Sequence, residues 1–258
     1  PKTLKNNGYK TAIIGKWHLG EDDDTTLKQG FDSHLPDWNK GWPKEGYYFP
    51  YGMKGLEVGD EGEYLTDRLT NEAIKYIEHN KENPFFLYLS HFAVHDPIEG
   101  RKDLVKKYSN KLKQIDPPKG KPFILEINPD NKESITRIEL DSLLENNKYK
   151  GYKIFSNESV KIKQHQDNAY FAGMVESMDE SLGRIIKKLE ELDLDQNTVV
   201  IFYSDNGGMS AANFYFPDRE ISKQGIDKAF STSNLPLRGG KGWMYEGGIR
   251  VPLIIKWP

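Results

Sequence analysis

Cysteine is absent from the 258 residues, which excludes disulfides, thiolate zinc sites and a cysteine nucleophile within this chain. Cysteine-free proteins occur in every compartment, so the redox setting stays open. Long apolar runs are also missing. The longest, residues 84–94, is broken by Ser90 and His91, and together with a mean hydropathy of −0.73 this excludes a transmembrane helix. An excess of one charge is lacking too. The 36 Lys and Arg stand against 39 Asp and Glu, a net −3 with an isoelectric point near 6.1. No overall basic field is available to recruit nucleic acid or an anionic membrane, and any anion must be met by local charges. No internal repeat, low-complexity tract or signal peptide is visible.

What is present is enough to bury a core: 36% apolar residues, 12% of the chain aromatic. The length fits one large α/β domain or two small ones. Residues 11–14, Thr-Ala-Ile-Ile between Gly8 and Gly15, read as a buried strand that delivers Lys16, Trp17 and His18 beyond its carboxyl end. Residues 21–62 are rich in Gly, Pro, Asp and aromatics without periodicity, and read as an ordered surface loop region. Leu65, Leu69, Ala73, Tyr76 and Ile77 recur at helical spacing until Asn83-Pro84. Residues 85–90 then read as a fully buried strand, with His91 and His95 directly behind it. The Lys-rich stretch at about 101–166, with turn chemistry at 128–131, is read as an insertion. Met174, Met178, Leu182, Ile185, Leu189 and Leu192 form an amphipathic stripe whose role is core packing. The strand at 198–203 after it ends at Ser204, Asp205, Asn206 and Gly207, and the strand at 251–255 closes the chain.

Helices alternating with buried strands predict a mostly parallel sheet sandwiched by helices, in which ligands sit outside the carboxyl ends of the strands. Three polar clusters, Lys16 with His18, His91 with His95, and Asp205 with Asn206, each follow such a strand. Asp205 and Asn206 offer hard oxygen ligands suited to Ca²⁺ or Mg²⁺, although Asn206-Gly207 is equally the signature of a tight hairpin turn. Two ligands do not complete a calcium shell. Lys16 and Lys241, in Gly-flanked settings, can neutralise a tetrahedral anion or be merely solvated. His18 and His95 can transfer protons or be hydrogen-bonded structural residues. A zinc reading of His91 and His95 is discounted, because no Glu stands between them and Pro97 argues against a helix. The run Asp22 to Asp24 lacks the spacing of a calcium loop and reads as a solvated face.

The run Gly8 to Gly20, GYKTAIIGKWHLG, resembles the second signature of the sulfatase family. Further matches follow in the family's order: residues 91–97 with a His two before a Pro, Ser204 to Gly207 as an Asp-Asn-Gly metal motif, and Gly240-Lys241-Gly242 leading to Glu246-Gly-Gly-Ile-Arg-Val-Pro252. The resemblance implies an alkaline-phosphatase-like α/β fold that hydrolyses sulfate esters with one calcium ion. By the same resemblance Asp205 and Asn206 are calcium ligands, Lys16 and Lys241 hold the sulfate, His18 contacts the nucleophile, and His95 serves the leaving oxygen. It also implies a sulfated carbohydrate or aryl sulfate as substrate, and a periplasmic or secreted setting.

One departure from the pattern is informative. The family's formylglycine arises in a Cys/Ser-x-Pro-x-Arg motif that this chain lacks, and Ser233 to Arg238 has the wrong spacing to replace it. The start at Pro1 without Met and the end at Trp257-Pro258 read as cuts in a longer protein. The expectation is therefore a partial sulfatase catalytic domain over 1–258, without the nucleophile segment and the C-terminal subdomain, that binds calcium weakly or not at all and turns nothing over by itself. Two other readings stay open: a phosphate or phosphonate ester hydrolase of the same superfamily, and a non-catalytic carbohydrate-binding protein using aromatics such as Trp38, Trp42, Tyr47 and Tyr48.

Overall fold

The computed structural model describes residues 1–20, 25–127, 136, 138, 139, 142, 159–210 and 231–258. The chain divides into two compact units, one of residues 1–106, 172–200 and 256–258, the other of residues 107–171 and 201–255. The Asp22 to Asp24 run and the turn at 128–131 lie outside the described residues.

The first unit is built on a parallel sheet in the order β2-β1-β3, with β1 at Lys10–Gly15, β2 at Ser33–Leu35 and β3 at Phe85–Ser90. In β1, Thr11 to Gly15 are all buried, as expected for a central strand with neighbours on both sides. β3 is only partly buried along its length, and Tyr88 is 46% exposed. The expectation of a fully buried β3 is thus corrected: it pairs with β1 on one side alone among the described residues. Polar bonding closes the start of the sheet. The Asp32 carboxylate accepts from Thr11 N at 2.8 Å and from its hydroxyl at 3.0 Å, and Lys5 lies 2.7 Å from the same carboxylate.

Two helices matter most for the site. α3 (Leu65–His79) follows the short helices α1 (Lys2–Asn6) and α2 (Thr25–Lys28), and buries Leu65, Leu69, Ala73 and Ile77 at i, i+4 spacing. It packs on β1 and β3. After α4 (Lys102–Leu112), the long helix α5 spans Ala169–Glu191. Its sequence stripe is only partly the buried one. Met174, Ile185 and Leu189 are buried, but Met178 and Leu182 are intermediate, and the small residues Gly173, Ser177 and Ser181 are enclosed instead. The reason is polar. Ser181 accepts from the Thr70 hydroxyl at 2.7 Å, and small residues permit that approach to α3. Arg101 ties Asp67 of α3 to Glu180 of α5, at 3.3 and 2.7 Å.

Residues 25–62 are mostly loop, as their composition suggested, but not all of that loop lies at the surface. Tyr47 and Tyr51 are fully buried and Met53 and Leu56 nearly so, because the tyrosine hydroxyls find backbone acceptors: Tyr47 donates to His95 O at 2.9 Å and Tyr51 to Glu63 O at 3.1 Å.

In the second unit β4 (Phe123–Ile127) and β5 (Ser159–Lys163) form an antiparallel pair, and β6 (Val200–Tyr203) pairs with β7 (Leu253–Lys256). The described strands therefore form three sheets rather than one. Lys163 is 3% exposed there and lies 2.6 Å from Asp167, which compensates its burial. No described helix is long and apolar enough to cross a membrane.

His91 generates a test of this packing. Its Nε2 lies 2.9 Å from Ser181 Oγ, while Nδ1 is buried without a hydrogen-bond partner among the described residues. Burial pushes its pKa from 6.5 down to about 4. Between those values the unfolded chain takes up a proton that the folded chain refuses, so stability falls as pH drops through this window, by up to roughly 3 kcal/mol. The urea midpoint should decline between pH 7 and pH 4.5, and His91→Gln should lose distinctly less over the same range; parallel slopes would show that His91 is protonated in the fold.

Candidate active site

The cluster in the first unit hangs on the parallel pairing of β1 with β3, which sets Gly15 opposite Ser90. Gly15 has a φ of +115°, and any Cβ there would collide with the Ser90 carbonyl, so glycine alone permits this contact. Directly beyond it Lys16 N donates to Ser90 O at 2.7 Å, and Ser90 Oγ donates back to Lys16 O at 2.5 Å. Residues 75 positions apart thus leave the same sheet edge together. His18, at φ +58°, turns out of the extended path. Gly41 packs its backbone on the His18 ring so closely that a Cβ would fall inside van der Waals contact. Trp42 then fills the space between two histidines, its ring centroid 6.2 Å from that of His18 and 6.4 Å from that of His95.

His95 is held from several directions. Its N donates to Phe92 O at 2.9 Å, its carbonyl accepts from the Tyr47 hydroxyl, and its Nδ1 lies 3.0 Å from both Asp96 O and Asp96 Oδ1. Both partners of Nδ1 are acceptors, so the ring hydrogen sits on Nδ1 and Nε2 is the atom left for proton exchange. His91, four residues earlier, is of a different kind. Anchored on Ser181 and kept neutral by burial, it braces the loop that carries His95.

A second cluster lies in the other unit. Segments 204–210 and 238–250 meet backbone to backbone: Gly207 N donates to Gly248 O at 2.9 Å and Lys241 N to Gly208 O at 3.1 Å, while Gly247 N donates to Arg238 O at 2.8 Å within the second segment. Added Cβ atoms at Gly207, Gly240, Gly247 or Gly248 would each strike a facing backbone carbonyl. Asn234 stitches the two segments, its amide donating to Gly208 O at 2.7 Å and to Gly239 O at 3.1 Å. This brings the Lys241 loop beside the Asp205-Asn206 turn. The turn is no tight hairpin, because β6 pairs with β7, fifty residues on. Ser204 Oγ donates to Asn206 O and Asn206 Nδ2 to Gly207 O, both at 2.9 Å, so the Asn206 amide nitrogen is engaged and Oδ1 is its acceptor atom.

Of the sequence-derived residues, the structure gathers Lys16, His18 and His95 in the first unit and Asp205, Asn206 and Lys241 in the second. For calcium, the fit is chemical rather than complete. Asp205 and Asn206 carry the oxygen donors a hard cation prefers, yet no group of three or more His, Asp or Glu that could hold a metal occurs among the described residues. Sequence reasoning missed Asp96, Gly41, Ser90 and Asn234, none of which carries a periodic or motif signal of its own. It also offered Tyr47 and Tyr48 as carbohydrate-binding aromatics. Tyr47 is enclosed, and Tyr48 spends its hydroxyl on Gly100 O at 3.0 Å.

The family model described as Sulfatase matches residues 1–258. A sulfatase of Formosa agariphila is 28% identical over 309 residues, covering all of this chain and 44% of the relative; the N-acetylgalactosamine-6-sulfatase of Homo sapiens is 26% identical, covering all of this chain and 39% of the relative. The chain thus spans less than half the length of these relatives. Among solved structures, Ps i-CgsB in complex with k-i-k-neocarrahexaose matches with a TM-score of 0.61 at 25% identity, over the whole chain and 46% of that protein. BT4656 in complex with its substrate D-glucosamine-2-N,6-O-disulfate matches with a TM-score of 0.55 at 23% identity, over the whole chain and 55% of that protein, which speaks for the fold alone. The fold is the alkaline-phosphatase-like α/β fold of these neighbours. With a family match running the full length, the chain belongs to the sulfatase family.

Proposed function

We propose that the complete protein is a sulfuric ester hydrolase acting on a sulfated carbohydrate. The observation that carries this reading is the placement of His95, its Nδ1 committed to Asp96, beside His18 and Lys16 at one edge of the β1–β3 sheet. Lys16 and Lys241 serve as cations for the sulfate, point charges on flexible stems that can follow a tetrahedral anion. In its imidazolium form His95 directs Nε2–H at the leaving oxygen and donates that proton, which leaves the neutral Nδ1–H ring that Asp96 holds in place. His18 supports the nucleophile. Asp205 and Asn206 would hold calcium, which when bound supplies positive charge toward the sulfate oxygens. The nucleophile itself, a formylglycine, belongs to a part of the complete protein outside these residues, and the 258 residues form a partial catalytic domain with an insertion at about 101–166. A sulfated saccharide is favoured by the k-i-k-neocarrahexaose bound by Ps i-CgsB. A polymeric substrate of that kind fits a periplasmic or secreted setting.

Three measurements test this. The complete protein should hydrolyse an aryl sulfate or a sulfated saccharide, and His95→Ala or Lys241→Ala should slow it by roughly 10²- to 10³-fold. The 258-residue chain alone should show no turnover, and preference for a matched phosphate ester would move the assignment to phosphate ester hydrolysis. Gly41→Ala, which must push the His18 ring aside, should lower kcat by on the order of 10-fold or more while the thermal midpoint stays near that of the native protein; an unaltered kcat would separate His18 from the chemistry. Calorimetry of the 258-residue chain with calcium should give weak or no binding, since two ligands leave most of a six- to eight-oxygen shell unfilled. Tight one-to-one binding would mean that other residues of this chain complete it.

A further inference from the structure

The aromatic residues before α3 divide sharply by what they do. Tyr47, Tyr51 and Tyr64 are consumed by the core, with their hydroxyls bonded to backbone carbonyls. Trp42 is different, for it keeps 44% of its surface exposed although it stands between the two histidines of the site. It is also held rigidly. The Trp38 indole N–H donates to Trp42 O at 2.7 Å, Pro43 beside it is buried, and Gly41 on its other side is pinned under the His18 ring. The Lys44 ammonium, 5.7 Å from the Trp38 ring centroid, steadies the supporting indole in turn.

An exposed, rigid indole is costly to leave in water unless something covers it, and here its neighbours define what can. The electron-rich indole face repels a sulfate group and attracts weakly positive C–H bonds. A ligand lying on Trp42 must therefore carry an apolar C–H face there and direct its anionic group elsewhere, with a hydroxyl-derived oxygen within reach of His95. A pyranose ring bearing a sulfate ester has this division of surface. We propose that Trp42 is the platform on which the sugar ring carrying the scissile sulfate stacks, and that it sets the preference for a pyranoside over a ring-less sulfate ester. This rests on the sulfatase reading of the same site and adds its specificity-determining residue. Stacking is made in the ground state as well as in the transition state, so its loss falls on KM more than on kcat.

The test uses the complete protein with Trp42→Ala and Trp42→Phe, a panel of sulfated galactose and glucosamine oligosaccharides, their desulfated counterparts, and inorganic sulfate as a ring-less competitor. On the saccharide that the native protein cleaves fastest, Trp42→Ala should raise KM roughly 10- to 100-fold with kcat changed less, the scale of removing a buried aromatic anchor. Trp42→Phe should recover most of that loss, because the smaller ring still offers an aromatic face. Inhibition by inorganic sulfate should shift less than about twofold, since sulfate alone does not need the platform. Calorimetry should detect binding of the desulfated saccharide to the native protein and not to Trp42→Ala. Equal weakening of sulfate and saccharide, or a loss confined to kcat, would show that Trp42 only props the histidines and would overturn the proposal. Should no panel member be hydrolysed at all, the sulfatase reading fails separately, while desulfated-saccharide binding that disappears in Trp42→Ala would still stand for the platform, and its absence would overturn it.

Discussion

The register between β1 and β3 is the constraint on which the placement of Lys16, His18 and His95 depends. It sets Gly15 against Ser90, and because no side chain fits between those backbones, the two strands end level with one another. Lys16 and Ser90 then exchange reciprocal hydrogen bonds across the edge. A slip of one residue would turn the alternate faces of β1 over and carry Lys16 and His18 away from the loop of His95. Everything that follows, including the wedging of Trp42 between the two imidazoles, presupposes this alignment.

The same device recurs in the second unit without any strand pairing. Between segments 204–210 and 238–250, glycines let carbonyls and amides approach where a Cβ would collide, and Asn234 bonds to both sides. The cost of so many glycines is conformational entropy in the unfolded chain. Buried side-chain bonds such as Ser210 Oγ to Gly239 O, at 2.9 Å, offset part of it. In both units backbone contacts thus help to hold the functional loops.

Polar seams do similar work deeper in the first unit. α3 and α5 meet through Thr70 and Ser181 and through the Arg101, Asp67 and Glu180 ion pairs, where a stripe of Met and Leu would have been the default. His91 uses that seam. Its bond to Ser181 ties the loop behind β3 to α5, so the helix packing and the position of His95 are mechanically continuous. Desolvation keeps this imidazole neutral, which suits an anchor and disqualifies it as a proton carrier near neutral pH.

Local pattern sufficed for much of this. Short apolar runs located β1, β3, β6 and β7, the helical spacing of Leu65, Leu69, Ala73 and Ile77 located α3, and the motif order from Gly8 to Pro252 carried the family. Those features depend on neighbours in sequence, where periodicity and turn chemistry act. Tertiary structure decided the rest. That Asp96 orients His95, that Gly41 bears on His18 and that Tyr47 is core while Trp42 is surface follows from contacts between segments tens of residues apart, apart from the Asp96–His95 pair, whose geometry the backbone of the loop sets. A serine at position 181 reads as a polar interruption until Thr70 is placed against it, and Asn206-Gly207 reads as a hairpin until β6 is seen to pair with β7. Residue type fixes what a side chain can do chemically, and only the packing of distant segments fixes which partner it does it with.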